Sequence, residues 1–339
     1  MSARENIIPV FVPHLGCPND CVFCNQRRIS GAQKPADAET VRLAIEEAVT
    51  RMPAADKRQL AFYGGSFTAI PAEEQTALLR AAKDYLDRGI ITSVRLSTRP
   101  DAIDAAVLKR LKQYGVETIE LGAQSLCDDV LRLSGRGHTA DDVIQASRMI
   151  QKEGFRLILQ MMTGLPGDTK EKSIETAEKI IALLPDGVRI YPTVIVKDTA
   201  LYDLWQSGEY KEHTVEEAVS LCAELLPLFE KAGIPVIRLG LNPTDELSAG
   251  AAAAGAYHPA LGELVMSRIL RNQSEKLLSS APQGGKITLL VAPGHASQMT
   301  GQHRCNMLYL SEKFSLELLR VQESPLLKGR EIRVIPVEK

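Results

Sequence analysis

The strongest constraint on this chain is an alternation. Short β-branched or apolar runs are followed, repeatedly, by longer segments with helical spacing. Strands are predicted at Ile7 to Val12, Gln59 to Tyr63, Ser93 to Leu96, Glu117 to Leu121, Arg156 to Gln160 and Gly187 to Tyr191. Amphipathic stretches lie between them, including Ala38 to Met52, Ala72 to Asp87 and Asp101 to Tyr114. In the first, Val41, Leu43, Ala44 and Ala48 read as the apolar face, with Glu39, Glu46 and Glu47 outside it. Such alternation predicts parallel strands joined by right-handed crossovers, with helices packed outside. Six units predict an α/β fold: a partial (β/α)6 TIM-type barrel rather than the closed eight-unit form. A helix from Val215 to Ala232 and a strand near Val236 complete a domain expected over residues 1–240.

Residues 241–339 read as a small α+β extension. Ala249 to Ala256, rich in alanine and glycine, is expected to be a helix contact or a hinge. A long helix follows from Pro259 to Leu278, and Gln283-Gly284-Gly285 marks a turn before a strand at Ile287 to Val291. A helix at Cys305 to Lys313 and a strand at Ile332 to Ile335 close the chain.

A net charge of −2 gives no global attraction to phosphates or membranes, so a nucleic-acid partner needs a local basic patch. No apolar run reaches bilayer length, and the opening MSARENIIPVFVPH lacks the pattern of a signal peptide. A cytoplasmic protein without a membrane partner is expected. Six cysteines in 339 residues do not make a disulfide scaffold.

Three of those cysteines cluster. Cys17, Cys21 and Cys24 follow the first predicted strand in a loop rich in glycine, proline, asparagine and aspartate. Soft thiolates at this density favour zinc or an iron–sulfur cluster over a hard cation. A structural zinc site would recruit His14 as the fourth ligand, and burial as small apolar side chains is a further reading. A four-iron cluster normally takes four cysteines, so three leave one iron open. The loop's position after a barrel strand, where active sites gather, favours the cluster.

Other segments fall at the same rim. Gly64-Gly65-Ser66 after the second strand is either a tight turn or a place where a ligand approaches backbone amides. Ser97 and Arg99 after the third face a ligand, or Ser97 turns the chain while Asp101 caps the next helix. Gln124, Arg136 and Gln160 are polar groups beside apolar strands, which are costly without partners. Ligand contact is favoured for Gln124 and Arg136, while His138 is read as an ordinary surface residue rather than a ligand contact. Cys127 follows the Gln124 loop closely enough to face the same site. Cys222 and Cys305 are assigned to packing, and His295 and His303 to the surface.

The three-cysteine spacing, with Phe23 before the last cysteine, resembles the signature of the radical S-adenosylmethionine superfamily. That resemblance implies a [4Fe-4S] cluster on Cys17, Cys21 and Cys24, with S-adenosylmethionine chelated at the open iron. It implies reductive cleavage to a 5′-deoxyadenosyl radical, fed by an electron donor such as flavodoxin or ferredoxin. It further implies cofactor contacts from Phe23, Gly64, Gly65, Ser66, Ser97, Arg99, Gln124, Arg136, Gln160 and Leu165. No catalytic residue is assigned.

The segments ELGAQS, RGHT, GLPG and Ile190-Tyr191-Pro192-Thr193, then Thr199-Ala200-Leu201-Tyr202 and Leu204-Trp205, resemble the radical domain of the Elongator catalytic-subunit family, which modifies wobble uridines in transfer RNA. Transfer RNA is the partner this implies. Two departures stand against it. That family spaces its first two cysteines more widely, and there is no room after Leu241 for its acetyltransferase domain. The oxygen-independent coproporphyrinogen dehydrogenase branch, with its haem-handling relatives, shares the short spacing and GLPG, but carries acidic residues where Ser97 and Gln160 stand. A non-catalytic iron–sulfur binding protein is the reading of a different class.

Overall fold

The computed structural model describes residues 5–12, 21–25, 36–51, 57–242, 250–280 and 284–337. The expectations on His14, Cys17, Met52, Ala249 and Gln283 lie outside the described residues. Two compact units form, one from Met1–Thr214 with Leu228–Tyr257, the other from Val215–Pro227 with His258–Lys339.

The larger unit is built on a curled, wholly parallel seven-stranded sheet. Its strands are β1 (Glu5–Phe11), β2 (Lys57–Tyr63), β3 (Ser93–Thr98), β4 (Val116–Gln124), β5 (Arg156–Thr163), β6 (Gly187–Pro192) and β8 (Val236–Leu239), in that spatial order. A short β7 (Val194–Val196) intervenes in sequence. Each predicted strand is present, and β4 and β5 run three residues further than expected. This is the α/β half-barrel, with every strand delivering its C-terminal end to one rim.

Helices follow the strands because their apolar positions recur every three or four residues. In α1 (Ala38–Arg51) the buried residues are Val41, Ile45 and Ala48, one turn apart. Leu43, expected on that face, is exposed because it lies nearly half a turn round from Val41. Helix α2 (Ala72–Asp87) matches its predicted span. Asp101 does not cap α3 (Ala105–Gln113). Asp104 does, accepting from the Val107 amide at 2.7 Å, while Asp101 sits in a 3-10 turn, Pro100–Ala102. Helix α4 (Asp128–Leu133) was not anticipated. After it, α5 (Ala140–Lys152) opens with a capping box between Thr139 and Asp142. The rest are α6 (Lys170–Ala182), α7 (Ala200–Gln206) and α8 (Val215–Lys231), the last shared between the two units.

The alanine-rich run is neither a helix contact nor a hinge. Ala252–Gly255 forms β9, antiparallel to β7. Small side chains suit it because the strands approach closely. At Gly255, with φ +87°, a Cβ would come within 2.8 Å of the Thr193 carbonyl oxygen.

The smaller unit pairs β10 (Lys286–Val291) with β11 (Leu318–Glu323) in parallel and β12 (Ile332–Pro336) antiparallel. Helices α9 (Leu261–Ser279), α10 (Ala296–Thr300) and α11 (Cys305–Lys313) complete it. Strand β11 was not anticipated. Cys222 is buried as expected, whereas Cys305, assigned to packing, is exposed. No described helix is long and apolar enough to cross a membrane.

Replacing Gly255 by alanine forces both an unfavourable φ and a backbone collision, so stability should fall by about 1–3 kcal/mol in urea unfolding. An unchanged midpoint and slope would contradict this account of the β7–β9 pair.

Candidate active site at the strand C-termini

Residues 21–25 begin the described part of the cysteine loop. The Cys24 amide donates to the Cys21 carbonyl at 3.0 Å, which curls the two thiols into one turn. The Val22 amide donates to the Ser134 carbonyl at 3.1 Å, and its carbonyl accepts from the Leu201 amide at 2.7 Å. The loop is thus stitched to the segment after α4 and to the start of α7. Phe23 wedges between two apolar clusters, one of Cys127, Val130 and Leu165, the other of Ile195, Leu201 and Tyr210. The aromatic residue before the last cysteine acts here as an anchor for the turn.

Arg136 ties this turn to the sheet. One guanidinium nitrogen donates to the Cys21 sulfur at 3.2 Å and the other to the Gly122 carbonyl at 2.7 Å. A fixed cation beside a sulfur suits the negative charge that a metal-bound thiolate carries. A Cβ at Gly122 would sit 2.8 Å from the Gln124 side-chain amide nitrogen and 3.4 Å from an Arg136 guanidinium nitrogen, so a side chain there would displace Gln124. The β4–β5 register slips between Gly122 and Gln124, and Gln124 takes φ 65°. That bulge aims Gln124 at Gln160, whose amide donates to it at 3.2 Å. His138 meets the carbonyl of the bulged residue, Ala123, through Nε2 at 3.2 Å. It is buried rather than at the surface, and its Nδ1 has no partner among the described residues. Burial, reinforced by Arg136, pushes the imidazole down to about 4 and keeps it neutral. The expectation of an ordinary surface residue at His138 is thereby corrected.

Ser66 and Arg99 turn inward. Ser66 Oγ lies 3.0 Å from Thr98 Oγ1 and accepts from the Arg99 amide at 3.2 Å, fastening the Gly64–Gly65 turn to the end of β3. The Arg99 guanidinium grips Asp101 through two bonds, at 2.9 and 3.1 Å, and donates to the Arg136 carbonyl at 2.5 Å. With their polar atoms engaged by protein, both hold the loops in place instead of reaching outward. Ser97 shares a face of β3 with Arg95 and stays half-buried. Leu165, in the GLPG turn, packs beside Phe23's neighbours. Gly164 has no room for a side chain, because the His213 ring lies 2.3 Å from the position of a Cβ. Cys127 is turned toward α6, its sulfur 3.8 Å from the Lys172 carbonyl, and burial raises its thiol.

Below these loops is a charged network that sequence reasoning missed. Glu120 accepts from Arg95 at 2.9 Å, from Arg189 at 2.7 and 3.0 Å, and from the Tyr63 hydroxyl at 3.2 Å. Four strands meet on this one carboxylate. Burial first, then the Glu120 charge, raises the Tyr63 phenol. The signal was in the strands themselves, where charged residues stand amid apolar runs. Their meeting point depends on the curl of the sheet.

A pair of thiols curled into one turn, a cation on one sulfur and polar amides beside them form a donor set suited to iron. Cys17, the third expected ligand, lies outside the described residues.

The sequence matches the Radical SAM superfamily over residues 11–180 and the Radical_SAM C-terminal domain over residues 185–271. The chain belongs to the radical S-adenosylmethionine superfamily and is an enzyme of that class, whose cofactors are a [4Fe-4S] cluster and S-adenosylmethionine. It is similar to human Elongator complex protein 3, with 29% identity over 234 residues, covering 63% of this chain and 42% of the relative. It is also similar to the tRNA uridine(34) acetyltransferase of Methanocaldococcus infernus, with 28% identity over 186 residues, 49% of this chain and 35% of the relative. The chain therefore spans less than half the length of these relatives. Among solved structures it resembles the Methanocaldococcus infernus Elp3 with its N-terminus deleted. The TM-score is 0.65 at 22% identity, over 80% of this chain and 64% of that one.

Two predictions follow from the site. A histidine with a depressed native pKa stabilises the fold above its unfolded value of 6.5 and loses that stabilisation as pH falls toward about 4. Unfolding free energy should drop by up to about 3 kcal/mol across this window, and His138→Gln should flatten the drop, as urea titrations at stepped pH would reveal. Glu120→Gln leaves two guanidinium groups facing a neutral amide in the lumen. It should cost about 3–5 kcal/mol of stability, read by the same titrations at neutral pH.

Proposed function

We propose that this enzyme acts on a uridine base in transfer RNA, with hydrogen abstraction as its first step. The similarity of its radical domain to a relative named for uridine 34 of tRNA is the observation that carries the reading. In this reading Cys17, Cys21 and Cys24 hold the cluster. Bound there, the group would supply one-electron reductive cleavage of S-adenosylmethionine.

The chain's own residues prepare for that chemistry. Phe23 and the two Val22 backbone bonds fix the cysteine turn. Gly64 and Gly65 offer backbone that a small ligand can approach, and Ser66 and Arg99 hold that backbone to β3. Gln124, Gln160 and Ser97 orient polar groups of cofactor and substrate, and Leu165 supplies an apolar wall. Arg136 balances the charge gathered on the sulfurs. The Glu120 network fixes Arg95, Arg189 and Tyr63 beneath the rim. Flavodoxin or ferredoxin supplies the electron.

Anaerobic reconstitution with iron and sulfide tests the proposal. The brown protein should form 5′-deoxyadenosine from S-adenosylmethionine under reduction, faster with unmodified tRNA present. Cys21→Ala and Cys24→Ala should lose the iron and the product together. A colourless protein holding one zinc ion would end the proposal. Cleavage stimulated by a porphyrinogen and indifferent to tRNA would redirect it.

A further inference from the structure

Charge is unevenly distributed along this chain. Residues 258–339 carry eleven Lys and Arg against seven Glu and no Asp, and the Val215–Pro227 part of the same unit adds Glu216, Glu217 and Glu224. The unit as a whole is near balance, so any basic excess is a local one.

The three-stranded sheet concentrates it. One face is core: Ile287, Leu289, Val291 and Leu319 belong to a cluster with Leu270 and Phe314. By strand alternation the opposite face presents Lys286, Arg320, Gln322 and Arg333, all exposed. Register places Arg320 beside Thr288 on β10, and Arg333 beside Leu290 from the other flank. The two guanidinium groups thus flank the central strand, with backbones about 10 Å apart across the ladder. Lys286, Arg320 and Arg333 make no ion pair among the described residues. The single acidic residue in these strands, Glu323, is turned away and accepts from the Gly294 and Ala296 amides at 2.9 and 3.3 Å.

We propose that this sheet face docks the phosphate backbone of the RNA substrate. The inference rests on the tRNA reading above and gives it a contact surface. Three cations that make no ion pair among the described residues complement a chain of phosphates, with Glu331 beside Arg333 accepting from the Lys328 amide at 3.2 Å, and Thr288 and Gln322 add hydrogen-bonding groups for ribose and phosphate oxygens. No aromatic side chain stands on this face, so bases find no stacking platform and recognition is of backbone and shape. An anionic bilayer fits less well, because Ile335 is the only exposed large apolar residue there and inserting helices present a continuous apolar stripe.

Binding of unmodified tRNA transcript to the full chain, followed by fluorescence anisotropy across about 50–300 mM KCl, tests the face. Arg320→Glu with Arg333→Glu should weaken binding at least about tenfold and reduce the slope of log K against log salt by about 1.5. Arg320→Gln with Arg333→Gln, which only removes charge, should give the same change of slope. Arg320→Lys with Arg333→Lys should keep affinity within about threefold, since a phosphate contact needs the charge. Cleavage of S-adenosylmethionine without RNA should be unaltered in all three. Wild-type binding with unchanged affinity and slope in the Glu and Gln variants overturns the docking face and leaves the tRNA reading standing. A wild-type protein that binds no tRNA at low salt overturns both. Binding to phosphatidylserine vesicles that is lost in the same variants, while tRNA binding is not, assigns the face to a membrane and overturns the proposal.

Discussion

One buried guanidinium holds the upper rim together. Arg136 reaches the Cys21 sulfur and the Gly122 carbonyl at once, and its own carbonyl accepts from Arg99. Through these bonds the cysteine turn, the bulged end of β4 and the loop after β3 share one anchor. A charged side chain at this depth is stabilised because both of its terminal nitrogens meet acceptors. The glycine at 122 follows from the same requirement, since any larger residue would crowd the space the arginine and Gln124 occupy.

A second buried charge centre organises the lumen beneath. Glu120, Arg95 and Arg189 come from three strands, and Tyr63 from a fourth. Such networks contribute less to net stability than to uniqueness: a shifted strand register would strand charges in a dry interior. The half-barrel is therefore held from inside by ionic contacts and from outside by apolar helix faces such as Val41, Ile45 and Ala48.

Much of the fold was legible because its signals are local. Strand and helix periods are set by backbone geometry, so the seven strands of the main sheet and most flanking helices could be read residue by residue. Errors fell where a short-range pattern admits two answers. The alanine run 250–256 has no periodic apolar face, and its pairing with β7 depends on a carbonyl from a distant strand. Leu43 looked apolar and inward, yet the helical angle sends it out. Asp101 had the right residue type for a cap, but a 3-10 turn placed Asp104 at the helix start instead.

The sequence by itself determined the chemistry on offer: three thiols at close spacing, a glycine-rich turn, and strands that all feed one rim. Those are properties of residue type and short-range order. Tertiary structure decided the assignments among them. It turned Ser66 and Arg99 into the protein, buried His138 against a bulge, swung Cys127 toward α6 and brought Glu120, Arg95, Arg189 and Tyr63 together. Each of those contacts joins residues from separate strands or loops, and their meeting depends on how the sheet curls, which no local spacing encodes.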